Sequence, residues 1–89
     1  MTLFLVDALD GRDVLARVVM LFHRRAIVIR SFSMTPAEHP GIVRMAIAVD
    51  TDRTRAEHTV ADLRNLVNVL SVESRWEDRT AERVPVTTG

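Results

Sequence analysis

Apolar positions fall into four short runs and two stretches of helical spacing, and their order along the chain predicts a fold. Thr2 to Ala8 is nearly continuous apolar sequence that stops at the Asp10-Gly11 turn, the pattern of a first strand covered on at least one face. Val14, Leu15, Val18, Val19, Leu21 and Phe22 then recur three and four apart. They predict a helix from the turn to about Arg25 with one broad buried stripe, leaving Arg12, Ala16, Arg17, His23 and Arg24 on its wetter side. Asp10 is the expected cap of this helix, with Asp13 three positions on as a weak capping-box partner.

Ile27 to Met34 is rich in β-branched residues and reads as a second strand that Pro36 ends. Thr35 to Gly41 holds two prolines and a glycine, so it is a hairpin connection. In the third strand, Ile42 to Val49, the larger residues Val43, Met45, Ile47 and Val49 alternate with Arg44, Ala46 and Ala48, the signature of a sheet with unlike faces. Thr54 and Glu57 form the expected capping box of a second helix reaching about Asn65, with Ala56, Val60, Leu63 and Val67 facing inward. Leu66 to Val72 is a fourth strand that can extend through Trp76.

The order β-α-β-β-α-β predicts an α+β, ferredoxin-like domain: right-handed crossovers put two helices on one face of a four-stranded antiparallel sheet, with the first and third strands central. The domain is expected over residues 1–77, followed by a polar, flexible tail over 78–89. The uncovered sheet face is expected to retain apolar residues, among them Phe32, Met34 or Leu70 according to register, and so to be partly covered by a second copy or another protein.

Composition narrows the chemistry. Twelve cations balance twelve anions with no block of like charge, which disfavours a nonspecific nucleic-acid binder. The absence of Tyr, and of any aromatic in the third strand, removes base stacking on the sheet. Cysteine is absent, so disulfides, thiolate metal sites and thiol nucleophiles fall together. Met1 to Ala8 has no basic leader or small-residue cleavage site and reads as strand; with no run long enough to cross a bilayer, the expectation is cytoplasmic and not membrane-bound. His23, His39 and His58 lie at no metal-ligand spacing and read as solvated surface groups. Asp10 and Asp13 lack a companion nucleophile or tuned histidine, so helix capping explains them better than acid–base catalysis. Arg24 and Arg25 suit the negative end of the helix dipole, and Trp76 is equally an interface anchor or a cover for the sheet end.

Several spaced motifs together resemble the ACT domain of the small regulatory subunit of acetolactate synthase (acetohydroxyacid synthase). They are Leu15-x-Arg17-Val18-x-x-Leu21-Phe22-x-x-Arg25, Ile29-x-Ser31, Thr35-Pro36 leading to Pro40, Arg44-Met45-x-Ile47, and Leu63-x-x-Leu66-Val67-x-Val69-Leu70-x-Val72. The match runs from about Leu3 to Val72. The resemblance implies an ACT fold that forms a homodimer by joining sheets edge to edge, and a non-catalytic accessory subunit that activates a large catalytic subunit of acetolactate synthase. The thiamine diphosphate, magnesium and flavin of such an enzyme belong to the large subunit, so no cofactor is expected in this chain.

The resemblance also implies a site for valine or another branched-chain amino acid where the first turn of one protomer meets the second strand of another. Here that site comprises Asp10, Gly11, Asp13 and Val14 with Val28 and Ile29. Two departures mark it. The family's Asn-x-x-Gly turn is Asp10-Gly11-Arg12-Asp13, and its Gly-x-Asn is Ala26-Ile27-Val28. Asp13 adds bulk and negative charge where a ligand carboxylate should sit, and Val28 removes hydrogen-bonding capacity. Weak or lost valine feedback is the expectation. The alternative is a free-standing ACT-domain sensor of amino acids or amines with no enzyme partner; an acylphosphatase-like hydrolase is a distant third, because its phosphate cradle should not carry Asp13.

Overall fold

The computed structural model describes residues 1–76. The elements are β1 (Thr2–Leu9), α1 (Arg12–Arg24), β2 (Val28–Pro36), β3 (Ile42–Asp50), α2 (Arg53–Arg64) and β4 (Val69–Trp76), and the strands form one antiparallel sheet in the order β2-β3-β1-β4. This is the expected βαββαβ topology with β1 and β3 central. The expected tail over 78–89 lies outside the described residues.

β1 sets the inside of the molecule. Thr2, Phe4, Val6 and Ala8 are buried, while Leu3, Leu5 and Asp7 between them are only partly covered. The register carries that alternation outward, pairing Phe4 with Ile47 and Val6 with both Met45 and Val72. Onto this face α1 lays Val14, Val18, Leu21 and Phe22, and the Phe4 and Phe22 rings meet edge to face at 5.4 Å. Each such side chain contributes about 1.5–3 kcal/mol on burial, more than any single cap or turn. The stripe is narrower than its spacing suggests, since Val19 stays 41% exposed. α2 adds Ala56, Thr59 and Leu63, with the Thr59 hydroxyl satisfied by donating to the Arg55 carbonyl at 2.7 Å.

Helix ends depart from the sequence reading. α1 starts at Arg12 with Gly11 in the cap position and no side-chain cap; Asp10 is tied instead to the sheet end, its N–H donating to the Gly41 carbonyl at 2.8 Å. α2 is capped by Asp52, whose carboxylate accepts from the Arg55 N–H at 2.7 Å, so Thr54 lies inside the first turn and makes no capping box. The C-terminus of α1 closes as a Schellman motif: the Ala26 N–H donates to His23 and the Ile27 N–H to Phe22, both at 3.0 Å. That closure holds Ala26 at φ +56°, a left-handed conformation in which a Cβ is strained.

Three strand expectations also shift. Pro36 belongs to β2, because β2 is an edge strand and a proline's missing N–H costs nothing on the unpaired side. β4 begins at Val69 rather than Leu66: the chain turns first, with Asn68 at φ +70°, which leaves Val67 63% exposed instead of inward. Phe32 and Met34 oppose Ile47 and Met45, on the helix side of the sheet, and Leu70 sits beside the register shift at Asp7/Ala8. The open face carries Leu3, Leu5, Ala46 and Ala48 down its centre, bordered by a bidentate ion pair in which Arg44 donates to both Asp7 oxygens at 2.7 and 3.0 Å.

Two outcomes follow from these local geometries. Ala26→Gly relieves the left-handed strain and is expected to stabilise the fold by about 1 kcal/mol, read as a raised urea midpoint at unchanged slope and fixed protein concentration. The Arg44 hydrogen bonds, reinforced by the guanidinium charge and Ser71 and opposed by burial, hold the Asp7 carboxyl below its ordinary value of 3.8. The fold therefore favours ionised Asp7, and that stabilisation is present above the ordinary value and lost as pH falls through the depressed one. Asp7→Asn is expected to lower Tm by about 2–5 °C at pH 7, with the gap to the parent protein closing as pH drops below 3.8.

Candidate functional site

The turn between β1 and α1 forms the rim of a concavity of about 500 Å³, lined by Asp10, Gly11, Asp13 and Val14 together with Leu9, Arg12 and Asn68. Gly11 is fully extended, at φ 170°, and a Cβ there would meet nothing within 4 Å, so neither strain nor crowding requires glycine. The start of α1 lines this opening and has no side-chain cap, and free N–H groups at a helix start are the arrangement that receives an anion. Two carboxylates and one guanidinium share the rim, so the side chains oppose what the backbone would accept.

Four of the six residues expected at the site are thus brought together. Val28 and Ile29 are not. Ile29 is opposite Val49, which is opposite Thr2 at the start of β1, whereas the turn follows Leu9 at its end. The two halves of the expected site therefore lie at opposite ends of the sheet within one chain, roughly 20 Å apart at strand spacing.

Sequence reasoning missed Leu9, Arg12 and Asn68 as lining residues. Arg12 stood inside the Asp10-Gly11-Arg12-Asp13 turn but was read as a polar position on the helix. Asn68 carried a usable signal, because an asparagine directly before a strand is a favoured left-handed turn residue. His23, His39 and His58 are exposed and spread over α1, the β2–β3 connection and α2. Among the described residues no group of three or more His, Cys, Asp or Glu side chains converges to hold a metal. Among the same residues, no helix is long and apolar enough to cross a membrane.

Residues 6–71 match the model of the AHAS small subunit-like ACT domain. The chain belongs to that family. It is 34% identical over 74 residues to the acetolactate synthase small subunit of Mycolicibacterium smegmatis, covering 83% of this chain and 44% of that protein. The corresponding protein of Mycobacterium avium is 38% identical over 79 residues, covering 89% of this chain and 46% of the relative. The chain therefore spans less than half the length of these relatives. In three dimensions it superposes on the acetolactate synthase small subunit of Thermotoga maritima with a TM-score of 0.75 at 22% identity, over 98% of this chain and 65% of that one. The ACT domain of a Chlorobium tepidum GTP pyrophosphokinase has the same fold, with a TM-score of 0.69 at 13% identity over 83% of this chain and 95% of that one.

Within the family frame, Ala26 acquires a structural meaning. The glycine expected there would occupy the left-handed C′ position that ends α1, so its replacement by alanine burdens a helix cap.

Proposed function

We propose that the chain is a non-catalytic regulatory subunit of an acetolactate synthase in branched-chain amino-acid biosynthesis, acting in the cytoplasm on a large, thiamine-diphosphate-dependent catalytic subunit, with weak or absent valine control. Its family membership and the names of its relatives support the subunit role. The acidic turn carries the regulatory part of the reading: Asp10 and Asp13 stand at the helix start where the carboxylate of valine would need to bind.

The site is completed by a second copy. The two sheet edges differ: on β4, Arg64 donates to the Val72 carbonyl at 3.2 Å, while β2, which like β4 carries one register shift, offers exposed Val28, Phe32 and Met34. Leu21, Arg24 and Arg25 of α1 border α2, so at 100° per residue the flank bearing Leu15 and exposed Val19 turns toward β2 and extends the same apolar strip. Such an edge favours strand addition. Because β1 and β2 run parallel, two-fold antiparallel pairing of β2 with its copy brings the partner's Val28 and Ile29 to the end of the sheet where this chain's turn lies.

Met34→Arg places a charge in that seam at a position already 45% exposed; sedimentation is expected to shift from dimer to monomer while the circular dichroism spectrum is retained. Co-expression with the large catalytic subunit tests the function itself. The expected result is a co-purifying complex with several-fold higher acetolactate formation and little change on adding valine. Asp10→Asn combined with Asp13→Gly is expected to strengthen valine binding by about tenfold or more in calorimetry. Recovery of the chain only as a homodimer, with a strong thermal shift from an amine, would favour the free-standing sensor.

A further inference from the structure

A second concavity, of about 710 Å³, lies between the C-terminal end of α1 and one side of α2. Its size is within the roughly 300–1,000 Å³ of small-molecule sites. Arg24, Arg25 and Arg55 line it against a single carboxylate, Asp62, over an apolar floor of Leu21 and Leu66. Two of the guanidiniums are already held: Arg25 pairs with Asp62, and Arg55 donates to the Arg25 carbonyl at 3.2 Å. Each anchored guanidinium retains further N–H donors, and Arg24 has no ion-pair partner among the described residues.

The dipole of α1 accounts for Arg24 and Arg25, which sit at its negative end. Arg55 reaches the same negative end from α2, through its bond to the Arg25 carbonyl. That residue is in the first turn of α2, beside Arg53, and the carboxylate at this helix start is the N-cap Asp52, which is engaged by the Arg55 N–H at 2.7 Å. Three guanidiniums gathered against one carboxylate, with Arg24 in no ion pair among the described residues, leave the cavity net positive and suited to an external anion.

We infer that this cleft is a binding site for a small phosphate-class anion, with Arg24, Arg25 and Arg55 as its donors and Leu21 and Leu66 receiving an apolar portion of the ligand. Fork-shaped donors suit the oxygens of phosphate and diphosphate. The site lies at the other end of α1 from the acidic turn, and its test needs neither a catalytic subunit nor valine, so its failure is separable from that of the regulatory reading.

The probe is inorganic pyrophosphate titrated into the full 89-residue chain at low salt and followed by amide and arginine Nε resonances. Saturable shifts centred on Arg24 to Ala26, Arg55 and Asn65 are expected, with a Kd below about 1 mM. Arg55→Gln and Arg24→Gln should each weaken binding by about fivefold or more, whereas Arg75→Gln, on the opposite sheet face, should leave it unchanged. Equal affinity in Arg55→Gln and Arg75→Gln, or shifts that grow linearly without saturating, would overturn the inference. So would tighter binding of a glutamate-rich peptide than of pyrophosphate at the same ionic strength, which would make the cleft a protein-docking surface. Because Arg55→Gln also removes a contact between the helices, an unchanged melting temperature accompanying lost binding separates a donor from a brace.

Discussion

The seating of α1 on β1 is the contact on which the other features depend. Phe22 and Val18 meet a surface made by Phe4, Val6 and Ala8, and the register of β1 with both neighbours aligns Met45, Ile47 and Val72 beneath the same layer. A one-residue slip in either pairing would turn those side chains to the open face, so burial of one stripe fixes helix position, strand register and turn location together. The acidic turn and the arginine cleft sit at the two ends of this one helix, and neither end is free to move without unseating the core between them.

That dependence explains the strain at Ala26. A left-handed alanine costs about 1–2 kcal/mol, yet the Schellman closure it permits buries Ile27 beside Phe22 and starts β2 at the right height. Burial of two large side chains outweighs one strained dihedral. The same comparison explains why α1 does without a side-chain cap. A cap is worth about 1 kcal/mol, and four buried residues hold the helix regardless.

Architecture was legible in the sequence because period-two and helical spacings report which faces are buried, and β1, α1 and β3 each show them cleanly. Helix ends were less legible. Asp10 and Thr54 are good capping residues by type, but the winning caps were chosen by where the adjoining strands release the chain, which depends on hydrogen bonds such as Asp10 to Gly41 across thirty residues of sequence. The placement of Phe32 and Met34 was hidden for a similar reason. β2 has apolar residues on the helix side that α1 touches only lightly, so exposure and facing part company at an edge strand. At the candidate site the turn residues were legible as a contiguous motif. Their separation from Val28 and Ile29 within one chain came only from the resemblance, which puts the two halves on different protomers, because it is a property of the sheet and not of either segment.

Charge placement relates the two concavities. Asp13 in the first turn of α1 and Arg24 in its last follow the helix dipole, each worth about 0.3–1 kcal/mol to an exposed helix. A carboxylate there makes the helix more stable and its start a poorer receptor for another carboxylate, so helix stabilisation and repulsion of an incoming anion come from the same side chain. α2 runs the other way. Its first turn carries Arg53 and Arg55, and both are compensated from outside the helix: Arg53 lies 5.7 Å over the Trp76 ring, and Arg55 reaches the carbonyl end of α1. The Trp76 contact neutralises the anomaly of Arg53 with a partner already in the fold. Arg55 gains only one carbonyl while standing beside two other guanidiniums, and that residual positive charge is what distinguishes the cleft from an ordinary pair of solvated helix ends.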